Sequence, residues 1–194
     1  NELVLRSQYL IDLHGGDMYE YIIPLTAIYT SGTSEIDDKL DSMARATELD
    51  YCFRQPLGRD SIGLTKECAR RGIPMIVVEC GGRGLLEEHL IVSSYNAITG
   101  VLKSLQVFEG EPCRNELKLI KSMTAIRSRS GGLFRRKVEA ESLVLKGDRL
   151  GEIIGLDGNV VEEIVSPTNG IVIQFSCNPS INSGDTVIHI GELD

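Results

Sequence analysis

The chain has 194 residues, enough for one large domain or two small ones. With 42% hydrophobic and 25% charged residues it has an ordinary globular mix, which argues against disorder and against a fibre. Its 28 acidic and 20 basic residues leave a net charge of -8, a surface that repels phosphate backbones, so no nucleic-acid partner is expected. No apolar run approaches the roughly 20 residues that cross a bilayer, so no membrane partner is expected either. Five cysteines, never spaced Cys-x-x-Cys, fit a reducing compartment, and a cytoplasmic location is expected.

The chain opens on Asn1, with strand-like Leu3-Val4-Leu5 close behind. That texture reads as the interior of a longer protein whose beginning lies upstream. Tyr9 to Leu13 is short and apolar and runs into His14-Gly15-Gly16, the pattern of a strand entering a loop. Tyr21 to Tyr29 reads as a second extended segment, which Pro24 assigns to an edge or an irregular strand. Ser34 stands where an N-cap belongs, followed by a helical pattern from Glu35 to Glu48. Ser61 is placed to cap a shorter helix, Ile62 to Arg71, stopped by Gly72. Ile73 to Glu79 is almost continuously apolar up to its last residue, as in a strand buried on both faces of a parallel sheet. Leu86 to Leu105 reads as a helix with Ile91, Tyr95, Ile98, Leu102 and Leu105 on its apolar stripe.

Beyond Pro112 the texture changes. Short strand-like pieces at 143–145, 153–154, 163–165, 171–173 and 187–190 alternate with Gly-Asp, Asp-Gly, Asn-Gly and Ser-Gly-Asp turns. The expected architecture is α/β, a mostly parallel sheet flanked by helices over residues 1–118, followed by a small all-β domain over 119–194.

Open α/β sheets bind ligands beyond the carboxyl ends of their strands. His14, with Asp12 two residues before it, and Glu79 end the two clearest strands. A neutral imidazole there can ligate a metal, and a carboxylate beside a metal-bound water can take its proton. Asp12 shares a strand face with His14 and is placed to hold its ring. The plainer reading is a loop start and a solubilising strand end. Against it, a carboxylate directly after Ile-Val-Val is costly to desolvate without a partner. Arg83, in Gly81-Gly82-Arg83-Gly84, could approach an anionic substrate, with a plain turn as the competing reading. His89 reads as a solvated helix residue, His189 as a strand histidine, and Cys80 as a packed thiol turned away from Glu79.

These residues resemble a known family. Tyr9-Leu-Ile-Asp-Leu-His14-Gly-Gly-Asp17, then Gly72-Ile-Pro-Met-Ile-Val-Val-Glu79-Cys-Gly-Gly82, is similar to the succinylglutamate desuccinylase/aspartoacylase family. Lys146-Gly-Asp-Arg-Leu-Gly-Glu-Ile153, Ser166-Pro-Thr-Asn-Gly170 and Asn182-Ser-Gly-Asp185 follow in the order of that family's C-terminal domain. The resemblance implies a zinc-carboxypeptidase-like catalytic domain and a barrel-sandwich domain akin to lipoyl and biotinyl modules. It implies zinc-dependent hydrolysis of a small N-acyl amino acid or similar amide, with His14 as the third zinc ligand and Glu79 as general base.

The chain also departs from the family. No histidine precedes His14, so the family's upstream His-x-x-Glu ligand pair is missing, as is its Asn-Arg substrate grip. One histidine does not hold catalytic zinc, which takes three protein ligands. The chain is therefore expected to be a fragment, inactive alone. A carrier module would need a lysine eight residues before Pro167, where Asn159 stands, so that role is rejected. A non-catalytic binding or scaffold protein on the same fold, and a true carboxypeptidase, stay as alternatives. An exposed β-domain edge leaves a homo-oligomer open.

Overall fold

A computed structural model describes residues 3–58 and 63–194. They form two compact units, one of residues up to 14, 24–80 and 86–119, the other of 15–23, 81–85 and 120–194. The division is not a single cut: two short segments of the first half belong with the C-terminal part. The architecture is mixed α/β with few helices.

The first unit holds β1 (Leu10–His14), most of β2 (Glu20–Thr30), α1 (Ser34–Arg45), β3 (Tyr51–Pro56), α2 (Leu64–Arg70), most of β4 (Met75–Gly82) and α3 (Glu88–Ser104). Its strands run in the order β1-β4-β2-β3, with β1 parallel to β4 and β2 parallel to β3. Ile76 and Val78 of β4 pack with Leu40, Met43 and Ala44 of α1 and Ala97 and Val101 of α3. Met75 and Val77 pack instead with Cys68 of α2 and with Ile73. Both faces of β4 are thus covered, as its apolar run requires, and each fully buried side chain contributes roughly 1.5–3 kcal/mol.

Five expectations need correction. Leu3-Val4-Leu5 is not a strand, because Val4–Arg6 makes a single 3-10 turn. Of the two readings of Pro24, an edge or an irregular strand, the edge fails, since β2 lies between β4 and β3, and the irregular strand fits. Pro24 falls between Glu20–Ile22, which pair with one strand, and Leu25–Thr30, which pair with β3, so its missing N–H coincides with a change of partner. Ser34 is the first helical residue of α1 and not its cap; Thr33 is the cap residue, and the Asp37 carboxylate accepts the N–H groups of Ser31 (2.8 Å) and Gly32 (3.1 Å). Helix α1 also stops at Arg45, short of Glu48, whose φ of 62° has left the helix.

The fifth concerns α3. Its buried residues are Leu90, Ala97, Gly100 and Val101, whereas Ile91 and Tyr95 of the expected stripe are 53% and 65% exposed. Small residues win because the helix approaches closely: a Cβ on Gly100 would lie 2.0 Å from the Ala46 carbonyl oxygen. Helix α2 ends at Arg70 with Arg71 as its C-terminal cap residue, and Gly72 follows with φ 71°, the stop expected there. Its proposed cap, Ser61, and Ile62 lie outside the described residues.

The second unit holds most of β5 (Lys118–Arg127), then β6 (Gly132–Arg136), β7 (Leu143–Val144), β8 (Arg149–Ile154), β9 (Val160–Val165), β10 (Gly170–Ser176), β11 (Ser180–Ile181) and β12 (Thr186–Leu193). No helix occurs in it among the described residues. Strands β5-β12-β10-β7 pair antiparallel, with Glu20–Ile22 of β2 added to β10, and β11-β6-β8-β9 form a second antiparallel sheet. Val172, Ile188 and Ile190 from the first set pack against Leu150, Ile153 and Ile164 from the second. Among the described residues no helix is long and apolar enough to cross a membrane.

Candidate active site

The parallel pairing of β1 with β4 is in register from Leu10 opposite Met75 to His14 opposite Glu79. Side chains on neighbouring parallel strands point the same way at paired positions, so the two polar residues meet where β1 ends. Glu79 does not end its strand as expected, because β4 runs on to Gly82. The imidazole Nδ1 lies 3.9 Å from Glu79 Oε1, and Nε2 lies 3.2 Å from Asp12 Oδ2. Asp12 and His14 are two apart on one strand and share its face, as expected. The imidazole is thus flanked by two carboxylates, one at each ring nitrogen. His14 is half exposed, while the Glu79 side chain is 22% exposed, so ligand has access to the ring and the carboxylate is largely shielded.

The Glu79 charge is felt at Tyr29 of β2, a residue the sequence reading did not single out: burial first, and the Glu79 carboxylate second, push the Tyr29 phenol above its ordinary value.

Cys80 turns away from Glu79 and packs with the apolar cluster of α1 and α3, and burial raises its thiol pKa. His89 is exposed on α3. Arg83 belongs to the second unit, so Asp12, His14 and Glu79 are the set the first unit brings together. The Arg83 N–H donates to the carbonyls of Glu20 (2.7 Å) and Asp17 (3.1 Å), and φ at this residue is 61°. Gly82 beside it has no room for a side chain, since a Cβ would lie 2.0 Å from the Glu20 oxygen.

Among the described residues no three His, Cys, Asp or Glu side chains are grouped as a metal would need. The residues present fit one corner of a zinc site: an accessible imidazole with a carboxylate 3.2 Å from one ring nitrogen, where the usual support of a metal-binding histidine stands. The sequence does contain one His-x-x-Glu spacing, His189 to Glu192, but it lies in β12. On a strand those two residues face opposite ways, and Glu192 accepts the Thr168 hydroxyl at 2.8 Å, so the spacing makes no ligand pair.

With this geometry in hand, the class of fold is plain from known structures. The chain superposes on solved structures of succinylglutamate desuccinylase/aspartoacylase proteins. It matches the apo ectoine utilization protein EutE (DoeB) of Ruegeria pomeroyi with a TM-score of 0.89 at 23% identity, over 98% of this chain and 62% of that one. A succinylglutamate desuccinylase of Silicibacter sp. TM1040 matches with 0.88 at 20% identity, over 99% and 60%. A succinylglutamate desuccinylase/aspartoacylase of Rhodobacter sphaeroides matches with 0.86 at 19%, over 99% and 60%. The chain thus spans about three fifths of the proteins it resembles. No protein-family model and no curated protein sequence matches it.

Proposed function

We propose that this chain is part of a zinc-dependent deacylase that hydrolyses the amide bond of a small N-acyl amino acid or similar N-acyl amine. The observation that carries the proposal is the register of β1 on β4, which sets the His14 imidazole against the Glu79 carboxylate at the end of β1. The similarity in fold to a succinylglutamate desuccinylase and a succinylglutamate desuccinylase/aspartoacylase supports the same reading. In it, residues 1–118 are part of a zinc-carboxypeptidase-like catalytic domain, and 119–194 a barrel-sandwich module.

His14 is one ligand in this scheme, and the other two come from sequence beyond this chain. Zinc, when bound, supplies Lewis-acid polarisation of a carbonyl and of a water. The chain's own residues do the rest. Asp12, 3.2 Å from His14 Nε2, is placed to orient the imidazole. Glu79 takes a proton from the attacking water as the oxygen bonds to the acyl carbon, then gives it to the amine nitrogen as the C–N bond breaks.

The test is amine release from a panel of N-acyl amino acids by the protein extended upstream to the length of the similar structures. Release that needs zinc and stops on chelation is expected. No release from any member, with zinc bound, overturns the proposal and favours the scaffold reading.

A further inference from the structure

Helix α3 turns a second apolar face to solvent. A helix that covers a sheet on one side normally carries charge on the other. Helix α1 of the same unit does so, with Glu35, Asp38 and Arg45 exposed. From Leu90 to Leu102, in contrast, α3 has no charged residue. Its sheet side is filled by Leu90, Ala97, Gly100 and Val101, while Ile91, Val92 and Tyr95 are 53%, 49% and 65% exposed. Ile98, Thr99 and Leu102 are partly exposed.

The outward face has an order along it. Val92, Tyr95, Thr99 and Leu102 follow one another at alternating steps of three and four, the spacing of a seam between two helices. One turn before Val92 the same face carries Glu88, and just past Leu102 it ends at Lys103. From the N-terminal end of α3 to its C-terminal end the face therefore reads acid, apolar, aromatic, apolar, base. That order is complementary to its own reverse. With a second copy of the helix laid antiparallel about a two-fold axis between Tyr95 and Asn96, Glu88 of each copy meets Lys103 of the other. Val92 then meets Thr99, and the two Tyr95 side chains stand next to the axis. A parallel pair would instead set Glu88 against Glu88 and Lys103 against Lys103.

We propose that this face docks on the same face of a second copy of the chain, α3 antiparallel to α3 in an isologous contact. An uncharged centre with an aromatic anchor, and charges only at the rim, is the composition of a protein interface. The contact lies wholly in the first unit and uses no strand edge of the second. At 17 residues α3 is about 25 Å long, too short by itself to bury the roughly 800 Å² per partner of a standard interface. The pairing is therefore reversible, in the micromolar range or weaker.

The experiment is sedimentation velocity of the 194-residue chain over a concentration series taken to about 1 mM. The parent should show a dimer share that rises with concentration. Glu88→Lys and Lys103→Glu, each alone, make both end pairs repulsive and should weaken the dimer about tenfold. Mixed one to one, the two variants should pair with each other about as tightly as the parent pairs with itself, because the charges at both ends are opposite again. Tyr95→Glu sets two carboxylates at the axis and should remove the dimer while the circular dichroism spectrum stays unchanged. Leu143→Glu, on a side chain 77% exposed in β7 of the second unit, should leave the dimer intact. If either charge reversal fails to fold, Glu88→Gln and Lys103→Gln should each weaken the dimer by a smaller factor. A parent that stays monomeric throughout, a dimer that survives Tyr95→Glu or is lost in Leu143→Glu, or charge variants that do not pair when mixed overturns the proposal. The upstream-extended protein should dimerise in the same way; if it is monomeric, upstream sequence holds the face and the proposal falls.

Discussion

His14 and Glu79 are cross-strand partners, aligned Cα to Cα on parallel neighbours, with Nδ1 and Oε1 3.9 Å apart. Backbone hydrogen bonds set that separation, so a side-chain substitution at one position leaves the other in place. Glu79→Gln keeps the size and removes the proton acceptor. In the upstream-extended protein kcat should fall by roughly 10²–10⁴-fold, with zinc per chain unchanged. Near-normal turnover would remove Glu79 from the mechanism.

His14→Ala should act through the metal. Zinc per chain should drop together with activity, and Asp12→Ala should weaken zinc by about 10–100-fold by releasing the ring. Metal analysis of the two purified variants checks this. Full occupancy in His14→Ala would end its role as a ligand.

The chain of 194 residues alone is expected to bind zinc weakly and to deacylate at background, because its described residues offer no grouped set of three ligands. Zinc titration followed by an amine-release assay measures both. Robust turnover by this polypeptide would show that the chain itself completes the site.

The acid stability limit should carry the mark of His189. Its Nδ1 is buried without a hydrogen-bond partner, and burial first, then Arg127, hold its pKa below the ordinary value. The unfolded chain therefore takes up a proton that the folded chain refuses. The sign follows: stability falls as pH drops below about 6.5, the unfolded value, and levels off beneath the lowered folded value. Tm measured from pH 8 to pH 5 should decline less steeply in His189→Gln than in the parent. Parallel curves would exclude this histidine as the cause.

What the sequence made legible divides by range. The strand end at His14 could be read because an apolar run and the glycines after it are local signals, whereas β4 runs past Glu79 through Gly81 and Gly82. The pairing of His14 with Glu79 followed from the rule for open sheets and held in the structure. The α3 face could not be read that way. Ile91 and Tyr95 carry the larger hydrophobicity, yet Gly100 and Ala97 are buried, because the decisive quantity is how near the Ala46 carbonyl comes. Pro24 marked the irregularity of β2 but not its cause, a change of partner between Ile22 and Leu25. The two segments 15–23 and 81–85, which group with the C-terminal strands, left no mark in composition at all. Long-range proximity of this kind is invisible to periodicity.

The β1–β4 register also limits how this site can vary. Strands exchange faces with every residue of slip, so a shift by one would turn His14 and Asp12 to the opposite side of β1 together. A shift by two would restore the face but carry the imidazole a full pleat away from Glu79. No intermediate setting exists between those steps. The spacing of acid and imidazole is therefore a discrete property of this backbone: lineages descending from it keep the contact whole or lose it, and gradual drift of the two groups apart is not open to them.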